Sequence, residues 1–306
     1  MDIQVCAKDI TRHHQHLYAG ESTLIESLLH ELPPNASPIF SSAWLGVRML
    51  GFVPQDADCI ARAWHEQTDR TGAFELTDWP CDPRDFALPA LDASHAFAPC
   101  PEALGLYAVL PDADWVARMV ELEVPTVQLR FKSDDANAIE QQVKAAVKAV
   151  QGSHTLLFIN DHWQHAIDSG AYGVHLGQED MSDAPLQTIR AAGLRLGLSS
   201  HGYAEMLKAY EVQPSYLALG AVFPTTLKRM VTAPQGLGRL AMYARLMRSQ
   251  SLVAIGGIDL ERLPAVMQTG VGSAAFVRAI TAAADVPLAV AQLHECIQSH
   301  QQSRAV

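Results

Sequence analysis

The chain has 306 residues, and 49% of them are hydrophobic, which is enough to bury a sizeable core and argues against wholesale disorder. Its 22 Lys and Arg residues against 33 Asp and Glu residues give a formal net charge of −11 at pH 7, which argues against a broad electrostatic surface for nucleic acid or anionic lipid. An anionic ligand would therefore have to be held by a local cluster of cations.

Cysteine usage and the N-terminus indicate the compartment. The five cysteines are scattered and form no C-x-x-C pair, which favours reduced thiols over a disulfide framework or a zinc site. Residues 1–16 are polar and rich in histidine, unlike a signal peptide, and no run reaches the roughly 18 apolar residues that span a bilayer. We therefore expect a cytoplasmic protein without a membrane segment.

The first hundred residues carry only a modest helical pattern. Apolar residues recur at helical spacing in residues 22–31 and 59–67. His13, His14 and His16 have no carboxylate or cysteine at a defined spacing, so we interpret them as a solvated run without a role. A proline-rich stretch without sustained period follows, which predicts a boundary near residue 101 between an N-terminal, mainly helical or irregular extension (1–101) and a second domain (102–306).

The second domain alternates short apolar runs with amphipathic helices eight times. The predicted strands cover residues 105–110, 126–131, 155–160, 173–176, 195–199, 216–222, 252–255 and 273–277, and the predicted helices include 112–123, 135–150, 204–212 and 260–269. Eight such units predict an α/β fold of the (β/α)8 TIM-barrel type. A doubly wound open sheet is the alternative, but the chain lacks the G-x-G-x-x-G and P-loop fingerprints.

Active sites of such barrels lie at the carboxyl ends of the strands, so the polar residues there are the candidates. Gln128, Arg130 and Lys132 alternate at the end of the second strand and should point to the same side. An inward arginine in a buried strand is costly without an anionic partner. This pattern therefore favours anion binding over a surface strand with the same alternation.

Carboxylates follow the next two strands, at Asp161 and Asp180. Mg²⁺ binds one or two protein carboxylates and completes its shell with water and substrate phosphate. Capping of the following helices is the alternative interpretation of each aspartate. The neighbouring cations Arg130 and Lys132 favour the metal, so the sequence predicts a Mg²⁺ site at this rim.

Hydroxyl groups follow the fifth and sixth strands. Ser199 and His201 end the fifth strand, but no G-x-S-x-G elbow makes the serine a nucleophile. Thr225, Thr226 and Lys228 follow the sixth strand on a long connection that could serve as a lid.

The ends of the last two strands are typical of a phosphate site. A glycine turn at Gly256 and Gly257 follows the seventh strand, and a short helix begins at Val277 and Arg278 after the eighth. Two anion sites and a metal, without a nucleophile–base pair, indicate a transfer between two phosphorylated small molecules in which diphosphate leaves on Mg²⁺.

Six motifs in this region occur in the order and spacing of a known family. They are Gln128-Leu129-Arg130-Phe131-Lys132, Phe158-Ile159-Asn160-Asp161, His175-Leu176-Gly177-Gln178-Glu179-Asp180, Gly220-Ala221-Val222-Phe223-Pro224-Thr225, Ala233-Pro234-Gln235-Gly236 and Ala254-Ile255-Gly256-Gly257-Ile258. On these motifs, residues 104 to about 295 resemble the thiamine phosphate synthases, also called thiamine-phosphate pyrophosphorylases.

The resemblance implies a transferase that joins 4-amino-2-methyl-5-hydroxymethylpyrimidine diphosphate to 4-methyl-5-(2-phosphoethyl)thiazole by a dissociative path. The products would be thiamine monophosphate and diphosphate. The resemblance also implies the role of each site residue. Arg130, Lys132, Asn160, Ser199 and Lys228 would hold the diphosphate, Asp161 and Asp180 would hold Mg²⁺, Gln128 would lie on the pyrimidine side, and Thr225, Gly257, Val277 and Arg278 would hold the thiazole phosphate.

The chain departs from the family pattern at two positions. The usual P-T-x-T-K turn has Leu227 in place of its second threonine, and Arg278 stands where a serine is usual. Thr226 or Arg278 could replace the missing hydroxyl. We favour Arg278, because a guanidinium can donate charge-assisted hydrogen bonds to phosphate.

The extension lies outside this resemblance. Residues 41–67 faintly resemble the C-terminal helices of hydroxymethylpyrimidine phosphate kinases, but no kinase motif accompanies them, so we interpret the extension as a packing or oligomerisation segment. Two other functions remain as alternatives. A thiazole tautomerase would not need the diphosphate residues, and a non-catalytic sensor of thiamine phosphates would not need the metal pair.

Overall fold

The computed structural model describes residues 1–20, 23–90, 92, 95–225 and 232–304. Within these residues eight parallel strands close into a barrel in chain order, and the last strand pairs with the first. The strands are β1 Gly105–Leu110, β2 Thr126–Leu129, β3 Leu156–Asn160, β4 Gly173–Leu176, β5 Arg195–Ser200, β6 Tyr216–Leu219, β7 Leu252–Ile255 and β8 Ser273–Phe276. The predicted (β/α)8 barrel is confirmed, and the closure of β8 on β1 excludes the open sheet.

Helices precede the barrel and surround it. Those of the extension are α1 Ile3–His13, α2 Ile25–Leu28, α3 Pro38–Met49 and α4 Pro54–Thr71. Those around the barrel are α5 Ala113–Glu121, α6 Ala136–Val150, α7 Trp163–Ser169, α8 Gln178–Asp183, α9 Leu186–Ala191, α10 Tyr203–Glu211, α11 Gly236–Leu246, α12 Leu263–Gln268, α13 Arg278–Thr281 and α14 Val286–Arg304. Among the residues described, no helix is long and apolar enough to cross a membrane.

Alternation along the strands separates two apolar layers. In β1, Leu106 and Ala108 face the helices, whereas Tyr107 and Val109 belong to the core inside the barrel. The inner core also contains Phe158 of β3, so large side chains fill the interior. The barrel is therefore a packed support and not a channel, and the space for a ligand lies at the carboxyl ends of its strands.

Two strands end two or more residues earlier than predicted. The ladder stops at Leu129 in β2 and at Leu219 in β6, although the apolar sequence continues. Ala221 and Val222 are still buried beyond the end of β6. The apolar pattern therefore predicted the burial of these two residues but overestimated the length of the strand. The amide of Val222 still donates to the carbonyl of Ile255 at 3.0 Å, so this segment stays beside β7 at the rim.

The extension is more helical than the sequence pattern indicated. Helix α1 was not predicted, yet the Asp2 carboxylate accepts hydrogen bonds from the first turn, and Ala7 and Ile10 are buried. The predicted helix at 22–31 is only the single turn of α2 in the described part. The interpretation of His14 as solvated was wrong, because its ring is buried beside Trp64 and its Nε2 lies 3.0 Å from the carbonyl of Leu76.

The extension packs against one side of the barrel, on α10 and α11. Tyr203 of α10 is fully buried, its ring stacks on Phe86, and its hydroxyl accepts a 3.0 Å hydrogen bond from Trp79 Nε1. Residues of the extension and of the outer barrel layer belong to one continuous apolar cluster. This supports packing as a role of the extension. The boundary near 101 and association between copies stay predictions.

Asp56 of α4 is buried in this interface, which predicts a pH dependence of stability. Burial raises the pKa of Asp56 from 3.8 to about 6, with Glu205 adding to the rise and Arg239 opposing it. The folded state then binds this proton more tightly than the unfolded state. The contribution to stability is therefore lost as the pH rises from about 4 through about 6.

We expect Asp56→Asn, which cannot ionise, to gain stability relative to the natural protein over this pH range. The difference should approach about 3 kcal/mol at 1.36 kcal/mol per pKa unit. Melting temperatures of the two proteins at pH 4.5 and pH 7.5 measure it. A constant difference between them would contradict the assigned ionisation.

Candidate active site

A cavity of about 990 Å³ opens at the carboxyl ends of the strands, and the ends of all eight strands contribute to its wall. Every predicted site residue within the described part of the chain lines this cavity. They are Gln128, Arg130, Lys132, Asn160, Asp161, Asp180, Ser199, Thr225, Gly257, Val277 and Arg278. Thr226 and Lys228 lie outside the described residues.

The cations after β2 stand on the rim rather than inside the barrel. Arg130 and Lys132 are exposed, because β2 ends at Leu129 and the chain leaves the sheet there. The prediction that Arg130 points inward from a buried strand was therefore wrong. A rim position makes its charge less costly and leaves it accessible to a ligand that enters the cavity.

Asp161 is held in an unusual turn directly after β3. Its φ of 63° is in the left-handed region, and the amide of His162 donates to the carbonyl of Asn160 across it at 2.8 Å. The amide of Asp161 donates to the carbonyl of His175 at 3.0 Å, which ties the turn to β4. Such conformations are costly for a residue with a side chain and cluster at functional sites.

Helix capping does not account for either aspartate. Helix α7 is preceded by His162 and α8 by Gly177, and neither helix has a side-chain cap. Asp161 instead pairs with Lys132, whose Nζ lies 2.5 Å from its Oδ2. Asp180 lies in the first turn of α8 with its side chain exposed. Both carboxylates are therefore available to the cavity.

A chain of buried hydrogen bonds forms the floor of the cavity. Gln128 Nε2 donates to the hydroxyl of Tyr107 at 3.1 Å, and that hydroxyl lies 2.7 Å from the hydroxyl of Tyr216. His175 Nδ1 lies 2.7 Å from the same Tyr216 oxygen, and His175 Nε2 lies 2.8 Å from Ser199 Oγ. The chain thus fixes Gln128 of β2 and Ser199 of β5 relative to each other.

Neither tyrosine of the floor was predicted as a site residue. Both are fully buried, and burial raises the pKa of Tyr107 and of Tyr216, so both hydroxyls are neutral at physiological pH. A tyrosine at an inward position of a barrel strand needs a hydrogen-bond partner for its hydroxyl. That requirement was the signal in the sequence that could have placed Tyr107 and Tyr216 in the site.

The opposite wall is shaped by the glycine turn after β7. Gly256 and Gly257 have φ of 102° and 65°, and a Cβ on Gly256 would lie 2.5 Å from the Cβ of Ala221. The guanidinium of Arg262 donates to the carbonyl of Gly257 at 2.7 Å and lies over the ring of Phe223. Arg262 lines the cavity, and the sequence analysis did not single it out.

The two predicted metal ligands, Asp161 and Asp180, both offer hard carboxylate oxygens. Among the described residues, no group of three or more His, Cys, Asp or Glu side chains converges to form a complete metal cage. A pair of carboxylates at the edge of an open cavity is compatible with an ion that keeps water or substrate in its remaining positions.

Comparison with known proteins places this barrel in one family. Residues 106–280 match the thiamine monophosphate synthase family. The thiamine-phosphate synthase of Neisseria meningitidis serogroup A is 55% identical over 201 residues, which are 66% of this chain and 98% of that protein. The thiamine-phosphate synthase of Escherichia coli O6:H1 is 51% identical over 199 residues, 65% of this chain and 94% of that protein.

A solved structure agrees with these relatives. The thiamine phosphate pyrophosphorylase from Pyrococcus furiosus superposes with a TM-score of 0.57 at 28% identity, covering 64% of this chain and 96% of that one. Since almost the whole of each of these three relatives is matched by about two thirds of this chain, they have no counterpart of the extension. With the match of residues 106–280 and this level of identity, the chain belongs to the thiamine monophosphate synthase family.

Proposed function

We propose that this protein is a thiamine-phosphate synthase that couples 4-amino-2-methyl-5-hydroxymethylpyrimidine diphosphate to 4-methyl-5-(2-phosphoethyl)thiazole. The observation that carries the proposal is that one cavity is lined by the cations, the carboxylates and the glycine turn that the motifs contribute. Phosphorylated substrates and free thiols at all five cysteines are consistent with a cytoplasmic enzyme. Residues 102–306 form the synthase in this proposal, and residues 1–101 are accessory.

In this proposal the diphosphate lies against the β2, β3 and β5 side of the rim. Arg130 and Lys132 neutralise its charge, while Asn160 and Ser199 donate hydrogen bonds to it. In this proposal Lys228, which lies outside the described residues, also binds the diphosphate. Gln128 faces the pyrimidine. Its amide is oriented by the donation to Tyr107, so it presents a fixed hydrogen-bonding edge.

Asp161 and Asp180 are the residues that would hold Mg²⁺. Their carboxylates are the ligand type that this ion prefers, and one oxygen of Asp161 already contacts Lys132. A diphosphate bound there would therefore contact Lys132 and the metal side by side. When bound, Mg²⁺ supplies positive charge to the oxygens of the leaving diphosphate.

The chemistry needs no protein nucleophile. The bond between the pyrimidine methylene carbon and the diphosphate oxygen breaks with its electron pair staying on diphosphate, and the thiazole nitrogen then forms a bond to the carbon. The residues of the chain neutralise the departing charge and hold the thiazole in line. Neutral Tyr107 and Tyr216 leave the cation that forms next to Gln128 without a competing anionic nucleophile in the floor.

The thiazole phosphate would lie on the opposite side, at Thr225, Gly257, Val277 and Arg278. Arg278 is exposed at the start of α13 and lines the cavity, so it can donate to a phosphate there. Thr226, the other candidate for the missing hydroxyl, lies outside the described residues.

We expect Arg278→Ser, which restores the residue usual in the family, to raise the KM for the thiazole phosphate about tenfold or more. A charge-assisted hydrogen bond contributes about 1.5 to 3 kcal/mol. The KM for the pyrimidine diphosphate should stay nearly unchanged, because that anion is bound across the cavity. Steady-state kinetics with each substrate varied in turn measures both values, and an unchanged thiazole KM would assign Arg278 to the solvent and leave Thr226 as the replacement.

Steady-state product formation tests the proposed function itself. The purified protein is incubated with both substrates and Mg²⁺, and thiamine monophosphate and diphosphate are quantified over many turnovers, with each substrate omitted in turn. We expect product only when both are present. A sensor would bind thiamine phosphates without forming product, and a tautomerase would convert a thiazole phosphate without the pyrimidine.

A further inference from the structure

We infer that the extension positions two segments of the active-site rim, one through Arg239 and the other through Asp56, so that residues absent from the relatives set substrate affinity in this chain. The inference rests on the proposed function. The first rim segment lies after β6 and is described at residues 220–225 and 232–236; the second comprises the end of β5 and the turn after it, residues 199–202.

Arg239 of α11 is the first anchor. It is 3% exposed, and its guanidinium donates to the carbonyls of Leu17 and Leu50 at 2.9 Å each and to that of Ala19 at 3.4 Å. The guanidinium carbon also lies 3.6 Å from the centroid of the Phe52 ring. A buried guanidinium needs such acceptors, and here the extension supplies three backbone carbonyls and an aromatic face.

The helix that carries Arg239 is joined directly to the rim. The amide of Gln235, just before α11, donates to the carbonyl of Ala221, and the amide of Gly236 donates to that of Val222, both at 2.9 Å. The side chain of Gln235 accepts a 2.8 Å hydrogen bond from Tyr243. Arg239 is one turn further along α11, so hydrogen bonds connect the anchor on the extension to Ala221 and Val222, at the start of the segment that carries Thr225.

Close backbone approach shows that this contact is tightly packed. A Cβ on Gly238 of α11 would lie 2.1 Å from the carbonyl oxygen of His16. A Cβ on Gly51, whose φ is 82°, would lie 1.9 Å from the carbonyl oxygen of Ala19. Glycine at both positions allows this close backbone approach, and the carbonyl of Ala19, which lies against Gly51, is one of those that accept from Arg239.

Asp56 of α4 is the second anchor. It is 4% exposed, and its Oδ1 accepts a 2.8 Å hydrogen bond from the amide of Ala204 in the first turn of α10. The residue before α10 is Gly202, which has no side chain to cap the helix, and a Cβ there would lie 2.2 Å from Asp56 Oδ2. The extension therefore supplies the N-terminal cap that the barrel helix lacks.

Helix α10 in turn holds the rim after β5. Glu205 Oε2 accepts hydrogen bonds from the amide of His201 at 2.8 Å and lies 2.6 Å from His201 Nδ1. His201 lines the cavity two residues after Ser199, the proposed diphosphate ligand. Asp56 is thus connected to the diphosphate side of the cavity and Arg239 to the thiazole phosphate side, although neither touches a substrate.

A matched pair of lysine substitutions tests the first anchor. Arg239→Lys keeps the charge but cannot reach three carbonyls at once. Arg70→Lys is the control, because Arg70 makes a bidentate pair with Asp85 entirely inside the extension. We expect Arg239→Lys to raise the KM for the thiazole phosphate about tenfold or more, since small misplacements of binding groups are that costly. Arg70→Lys should leave this KM unchanged.

A purely structural role would give a different result. In that case the maximal rate would fall in proportion to the folded fraction, which circular dichroism at the assay temperature measures, and the KM of the folded enzyme would not change. That result would overturn the inference. Should Arg239→Lys fail to fold, Phe52→Leu removes the ring under the guanidinium, which also stacks on Trp79, and leaves an apolar side chain in its place. The same criterion then applies to this milder variant, with a rise in the thiazole phosphate KM expected and an unchanged KM overturning the inference.

Substitution of the second anchor is expected to change the KM for the other substrate, the pyrimidine diphosphate. Asp56→Ala should raise the KM for the pyrimidine diphosphate about tenfold, and Asp56→Asn, which keeps an acceptor oxygen for the Ala204 amide, should restore it. Equal KM values in both variants and the natural protein would overturn the role of Asp56. Failure of the proposed function is distinguishable, because the natural protein would then form no thiamine monophosphate and no KM could be measured.

Discussion

Asp161→Ala and Asp180→Ala are each expected to lower the rate of thiamine monophosphate formation at least about a hundredfold while the barrel stays folded. Charge stabilisation by a metal at a leaving diphosphate contributes several kcal/mol, and 1.36 kcal/mol is a factor of ten in rate. Both side chains lie on the rim and outside the packed interior, so their removal leaves no core cavity. Rate constants at saturating substrates and circular dichroism spectra measure the two parts of this expectation.

The effect of the metal must be separated from the effect on Lys132. Removing the Asp161 carboxylate also frees Lys132, so a lower rate alone does not identify a metal ligand. A chelator should abolish turnover of the natural protein and Mg²⁺ should restore it. Both alanine variants should need a higher Mg²⁺ concentration for half-maximal rate.

Glu179→Ala is the matched control, because Glu179 is an exposed carboxylate that lines the same cavity and has no proposed role. Its Mg²⁺ dependence should equal that of the natural protein. An undiminished rate in Asp161→Ala or Asp180→Ala would remove that residue as a metal ligand.

A chain that begins at Cys100 is expected to lose most of its soluble yield, while its soluble fraction retains synthase turnover with a raised KM for both substrates. The truncation uncovers Tyr203, which Phe86 and Trp79 bury in the full chain. It also removes the carbonyls that hold Arg239 and the Asp56 carboxylate that caps α10. Exposed apolar faces promote aggregation. The synthase reaction should persist, because every residue that lines the cavity lies beyond residue 106.

Cleavage of the full-length chain provides the control for truncation. A protease site inserted between the exposed residues Pro101 and Glu102 breaks the connection and leaves the extension docked. The cleaved protein should keep its solubility and its KM. A truncated barrel that is folded and soluble but inactive would show that the extension contributes to catalysis directly. Full solubility with an unchanged melting temperature would contradict the packing described for the interface.

Much of the site could be predicted because barrel topology converts sequence position into spatial position. Residues that follow successive parallel strands must meet at one rim, so Asn160, Asp161, Ser199 and Gly257 could be placed together without knowing any contact. The exposure of Arg130 could not be predicted in this way. It depends on where the β2 ladder ends, and the apolar pattern continues past that point.

The anchoring of the extension could not be predicted for a different reason. Ser37 followed by Pro38 is a recognisable helix start, and α3 could have been found from it. The contacts between Arg239 and the extension, however, join residues up to 222 positions apart. They involve backbone carbonyls, whose positions no side-chain pattern encodes, so local periodicity carries no information about them.

A single-turnover experiment tests the central claim, that this cavity transfers the pyrimidine from diphosphate to the thiazole. Enzyme in excess over the pyrimidine diphosphate is mixed with saturating thiazole phosphate and Mg²⁺, and both products are quantified through one turnover. We expect diphosphate and thiamine monophosphate to appear in equal amounts and at the same rate. Diphosphate released without a matching amount of thiamine monophosphate, or neither product formed, would contradict the account.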